Sequence, residues 1–168
     1  MLFRSNPIIQ AAATYRTNQS THVAYRVFPG DHLGAFRITG TSPPSIVDAW
    51  SVNRDGCGSP FVTSTDGTSN MIVWVVGTAN SSGVGGDQRL HGYDADTGAV
   101  VYAGGGANEL MAGTYSYTTT GIAARGRIYV AGNNKVYAFA APTPTPCTGR
   151  CTPTPRPHPT PRPRPTPR

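Results

Sequence analysis

The sequence predicts an all-β fold: two to three blades of an incomplete β-propeller, each blade a four-stranded antiparallel sheet, followed by a proline-rich tail. Three observations predict it. An apolar strand, a turn and a second strand with a small–aromatic pair recur three times: Ala24-Tyr25 then Ala35-Phe36, Val73-Trp74 then Gly92-Tyr93, and Ile128-Tyr129 then Ala138-Phe139. Short apolar runs are punctuated throughout by Gly, Pro, Asn and Asp, and no segment carries a convincing helical period. The composition breaks at Pro142, which divides a repeat body (residues 1–141) from a low-complexity segment (142–168).

The first repeat opens with Gln10–Tyr15, turns through the polar Arg16–Ser20, and continues as His22–Val27. Pro29-Gly30-Asp31 turns the chain into Leu33–Ile38, and Gly40–Pro44 breaks it before Ile46–Val52. The second repeat runs from Gly58–Ser64 through an Asp66-Gly67 turn to Met71–Val76, a continuous apolar run of the kind buried on both faces. A Gly/Ser-rich loop, Gly77–Asp87, leads to Arg89–Tyr93, and Asp94–Gly98 makes the hairpin into Ala99–Tyr102. In the third repeat Tyr117–Ala124 turns at Arg125-Gly126 into Arg127–Ala131, and Gly132-Asn133-Asn134 makes a tight hairpin into Lys135–Phe139. Asn and Gly suit the positive-φ positions of such a hairpin.

Charge divides as the composition does. The net charge of +6 is carried almost wholly by the tail arginines Arg150, Arg156, Arg162, Arg164 and Arg168, because the body's eight arginines and one lysine meet all eight acids of the chain. A nearly neutral body gives no basic face for specific nucleic-acid binding. No segment approaches the roughly 18 apolar residues of a membrane-spanning helix, and Met1–Pro7 has no apolar core of signal-peptide length. The tail holds 11 of the 16 prolines and no Leu, Ile, Val, Met or aromatic residue, so it cannot build a core. Alternate prolines favour extended polyproline II, a semi-rigid spacer of about 3.1 Å per residue. Its arginines also suit an anionic surface, and its prolines a proline-reading domain.

Gly92-Tyr93-Asp94-Ala95-Asp96-Thr97-Gly98-Ala99-Val100-Val101-Tyr102 resembles the signature of the PQQ-like (quinoprotein) β-propeller repeat: a small–aromatic pair, Asp, two variable residues, Thr-Gly, and a strand closed by an aromatic. Arg127–Gly132 followed by Lys135–Phe139 resembles its other half. The resemblance covers roughly residues 10–141 and is weakest in the first repeat, where Arg37-Ile38-Thr39-Gly40 replaces the Asp-x-x-Thr-Gly turn. It implies that Asp94 caps the turn, that Gly98 takes the strained backbone position, and that Trp50 and Tyr102 are aromatics packing between blades. It also implies a secreted or periplasmic parent protein, of which this chain is the C-terminal part, since closed propellers have 4–8 blades.

Candidate chemistry is sparse. Asp94 and Asp96 with Thr97 fit turn capping; a calcium loop wants more oxygen ligands than these supply. Quinone-binding relatives hold the cofactor on the ring axis with calcium, a catalytic carboxylate and often adjacent cysteines. Here no Cys-Cys pair occurs and Glu109 is the one glutamate. PQQ and calcium are therefore expected only in a complete propeller. His22, His32, His91 and His158 share no metal-ligand spacing, and Cys57 stands alone in the body. Gly83–Gly86 and Gly104–Gly106 lack the strand-to-helix context of a phosphate loop. Cys147 and Cys151 are spaced for a small disulfide loop, which would require an oxidising compartment. The expected function is a non-enzymatic binding or scaffold module, with the end of a quinoprotein dehydrogenase as the alternative. Expected partners are protein or cell-surface polymer, together with missing blades or further copies that close the ring. The rim loops Gly77–Asp87 and Gly104–Gly113 are the first place to look for recognition.

Overall fold

The computed structural model describes residues 10–140, except 28–31, 54–55, 57, 81–83 and 116–118. Within them the chain is all-β. The first sheet is β1 (Ala13–Arg16), β2 (Thr21–Val27), β3 (His32–Ile38) and β4 (Ile46–Asn53), paired in chain order. The second is β5 (Phe61–Thr63), β6 (Ile72–Val76), β7 (Leu90–Asp94) and β8 (Val100–Ala103), again in chain order. The third places β10 (Arg127–Gly132) between β9 (Gly121–Ala124) and β11 (Lys135–Ala140). Every strand pair is an antiparallel neighbour in sequence, which is what short turns between apolar runs dictate. One 3-10 turn, Ala107–Glu109, is the helical element among the described residues, and no described helix is long and apolar enough to cross a membrane.

The second sheet lies between the other two. Along β6 alternate side chains leave on opposite faces. Val73 and Val75 join Tyr15, Ala24, Leu33 and Ala35 of the first sheet in one core. Val76, with Trp74 beside it, joins Val130, Ile128, Tyr137 and Phe139 of the third sheet in the other. The apolar run Met71–Val76 thus serves two cores, as its pattern predicts. First strands meet first strands: β1 touches β5, and β5 touches β9.

The sheets repeat one another in detail. In the first, Ala35 faces Trp50 and a bulge follows before Phe36 faces Asp48. In the second, Gly92 faces Tyr102 and the same bulge follows before Tyr93 faces Val100. The register also realigns one strand of the first repeat. Trp74 lies opposite Gly92 and Tyr129 opposite Ala138, but the residue opposite Ala35 is Ala24, not Tyr25. Tyr25 points to the other face, where its ring stacks on Phe36 at 4.8 Å. The sequence pattern slips here because two adjacent apolar residues on a two-sided strand satisfy either register. The first strand of the third sheet, β9, begins at Gly121, and Tyr117, where the sequence pattern starts it, lies outside the described residues.

Candidate functional site

Asp94 builds the turn between β7 and β8 almost alone. Its Oδ1 accepts hydrogen bonds from the Asp96 N–H (3.1 Å), the Thr97 N–H (2.9 Å) and the Thr97 hydroxyl (2.7 Å). The Thr97 hydroxyl in turn accepts from the Ala99 N–H at 3.2 Å, and the Asp94 carbonyl from the Gly98 N–H at 2.8 Å. Gly98 sits at φ +72, and a Cβ there would lie 2.9 Å from the Trp50 ring. Glycine is required twice over, by the left-handed backbone and by the indole pressed on it.

That indole belongs to the neighbouring sheet. Trp50, on β4, donates its Nε1–H to the Ala95 carbonyl at 2.8 Å, and Tyr15, on β1, donates its hydroxyl to the same oxygen at 2.8 Å. One carbonyl at the crown of the turn thus receives two donors from the first sheet. Trp50 also packs against Tyr93, with ring centroids 6.4 Å apart. Burial, helped by the Asp96 charge, raises the Tyr15 phenol far above its usual range, so it stays a donor. Burial lowers the pKa of His22, which stacks on Tyr15 at 5.1 Å. The sequence points to Trp50, Asp94, Thr97 and Gly98, and the structure brings the four together. Asp96 contributes its N–H to the turn. Tyr15 was missed: a lone tyrosine in a polar-flanked strand carries no periodic signal for a partner 80 residues away.

Tyr102, the counterpart of Trp50, packs instead in the core between sheets two and three, 6.1 Å from Trp74. Ile72, Trp74, Leu90, Tyr102, Tyr137 and Phe139 line an open cleft of about 480 Å³ there, with Asn108 and Glu109 at its edge. Trp74 is held by a 2.8 Å bond from Nε1–H to the Thr63 hydroxyl, and its ring fills the space left by Gly92, where a Cβ would lie 2.7 Å away.

The described residues of the loops Gly77–Asp87 and Gly104–Gly113 are tied down by hydrogen bonds. Gly77, Thr78 and Ala79 are buried. The Ala79 N–H donates to the Thr114 carbonyl (3.2 Å), and Gln88 Oε1 accepts from the Thr114 N–H (3.0 Å) and hydroxyl (2.6 Å). Arg89 Nη1 donates to the carbonyls of Gly104 (2.8 Å), Gly105 (3.3 Å) and Gly106 (2.5 Å), so the triple glycine wraps a guanidinium rather than an anion. Glu109 Oε2 accepts from the Gly106 N–H at 2.8 Å. Asp87 bridges His91 Nε2 at 2.6 Å. Burial pushes the Asp87 carboxyl up, but the hydrogen bond and charge of His91, with the Arg89 N–H and guanidinium, pull it below the usual carboxylate range. Apart from His91, on β7, these residues lie in the connections between β6 and β7 and between β8 and β9, and bond the two to each other.

No group of three or more His, Cys, Asp or Glu that could hold a metal occurs among the described residues. Cys57, Cys147, Cys151 and the proline-rich tail lie outside them. No family model, curated protein or solved structure matches the chain.

Proposed function

We propose that the chain is part of a PQQ-like β-propeller acting as a non-enzymatic binding or scaffold module, in an extracellular or periplasmic parent protein, with residues 142–168 as its spacer. The observation that carries the propeller reading is the order of packing. Successive antiparallel sheets stack face to face with their first strands adjacent, as blades around an axis do. The identical bulges support the same repeat in sheets one and two.

The binding reading rests on the cleft between sheets two and three. Aromatic walls from Trp74, Tyr102 and Tyr137 with two polar side chains at the edge suit a ligand with apolar faces and hydroxyl groups. A cell-surface polysaccharide has that chemistry. Asp94 Oδ1 serves three donors within its own turn, which supports a capping role for it. The test is titration of the chain with soluble β-1,4-linked N-acetylglucosamine oligomers and, separately, with PQQ plus calcium, read by tryptophan fluorescence. A saturable shift with the oligomers, lost in Trp74→Ala, and none with PQQ is the expected result. Stoichiometric PQQ uptake, or no response to the oligomers, overturns it.

A further inference from the structure

Among the described residues, no sheet packs against the far face of sheet one or of sheet three, and the two faces differ. On sheet three, Ile128, Val130, Tyr137 and Phe139 look toward sheet two, so alternation places Ile122, Tyr129, Ala131, Val136 and Ala138 on the far face. Ile122 is 65% exposed and Val136 70%. Their register counterparts on sheet two are Phe61 and Leu90, which look toward sheet three, and Leu90 is 1% exposed. The far face of sheet three therefore repeats a surface that elsewhere in this chain is covered by a sheet.

Sheet one shows the opposite kind of face. Ala24, Leu33, Ala35 and Trp50 look toward sheet two, so Val23, Tyr25, Phe36 and Ile38 look away. Counterparts of the first three on sheet two are Val73, Val75 and Tyr93, each buried against sheet one. Sheet one thus presents the type of surface that covers, and sheet three the type that is covered. Their outer charges are opposite. Asp48 faces Phe36 across the bulged strands of sheet one, and Arg127 shares the far face of sheet three with Tyr129. Ile72, the counterpart of Arg127, lines the same cleft as Phe139, the counterpart of Phe36. Stacking sheet one on sheet three in the way the chain already stacks its sheets brings Arg127 beside Phe36 and its neighbour Asp48.

We propose that two copies of this chain associate head to tail, sheet one of each covering the far face of sheet three of the other, so that two three-sheet units close one ring. The inference rests on the propeller reading of the stack, and its occupant is a second copy because that copy carries both the matching apolar face and the opposite charge.

The experiment is solution mass by light scattering together with small-angle X-ray scattering on the full chain. The expected mass is about twice the 17.7 kDa of one chain. Val136→Asp buries a charge in the joint and is expected to give single chains, without harm to the fold because residue 136 is a surface position in each copy. Asp48→Arg sets like charges together and is expected to raise the dissociation constant about tenfold or more, and Arg127→Asp in the same chain is expected to reverse most of that rise. A wild-type chain of any other mass overturns the proposal. So does a dimer indifferent to Asp48→Arg, which would be a back-to-back pair through sheet three. A single chain whose scattering still fits three stacked sheets leaves the propeller reading standing and assigns the open faces to further repeats of a longer protein. Scattering that fits no such stack refutes both.

Discussion

Replacing Gly98 by alanine tests the joint between sheets one and two at its tightest point. Two costs add. The left-handed backbone at φ +72 costs an L-residue about 1–2 kcal/mol. The new Cβ would stand 2.9 Å from the Trp50 ring, inside contact distance, so the indole must move. Moving it strains the packing against Tyr93 and loosens the 2.8 Å bond to the Ala95 carbonyl, a further cost of about 1–3 kcal/mol. The sum is about 2–5 kcal/mol. Gly67→Ala supplies the control, because Gly67 has φ +94 in a turn with nothing within 4 Å of the added Cβ. It should show the backbone cost alone. Both are measured as urea unfolding midpoints at one chain concentration. A Gly98→Ala loss no larger than that of Gly67→Ala would mean that Trp50 does not press on the turn, and the joint described here would be wrong.

Other perturbations follow from the same geometry. Asp94→Ala removes the acceptor for two backbone N–H groups and a hydroxyl and should cost about 1–2 kcal/mol by urea denaturation, while Asp94→Asn, which keeps an acceptor, should cost less. Trp50→Phe keeps the ring but loses the bond to Ala95 and should cost about 1 kcal/mol, rising when Tyr15→Phe is added because the carbonyl then loses both donors. Stability should fall in acid in two stages. The folded pKa of His22 is depressed, so its contribution is intact above the unfolded value near 6.5 and declines as pH drops below it. The folded pKa of Asp87 is also depressed, so its contribution is present above the unfolded value near 4 and is lost as pH falls through the lower folded value. Asp87→Asn should weaken the second stage, to which Asp66, held low by the Thr68 and Ser69 N–H groups, also contributes, and leave the first, as read from unfolding midpoints between pH 3 and 8.

Strand order and the double burial of β6 were legible because both are written in short-range pattern: apolar runs, turn residues and their spacing. The signature turn was legible for the same reason, since Asp94, Thr97 and Gly98 bond within a few residues of one another. Trp50 was legible as an aromatic between sheets, but its target, the carbonyl of Ala95, was not, because a backbone acceptor leaves no mark in the side-chain sequence. The first repeat was read one residue out of register on β2. Ala24 and Tyr25 are both apolar, and only pairing with β3 decides which faces sheet two. The bonds that tie down the loops Gly77–Asp87 and Gly104–Gly113 were not legible. They run through Gln88, Arg89 and Thr114, whose partners are mostly main-chain groups distant in sequence.

Sheet two is clasped on both faces, by Trp50 of sheet one seated on the Asp94–Gly98 turn and by the Val76, Leu90 and Val130 core shared with sheet three. Nuclear Overhauser contacts in the full chain test this clasp. The expected result is cross-peaks from the Trp50 ring protons to the Gly98 Hα pair and from Leu90 methyls to Val130 methyls, together with a slowly exchanging Trp50 indole N–H. A Trp50 indole that exchanges at the solvent rate and shows no contact with Gly98 would contradict it.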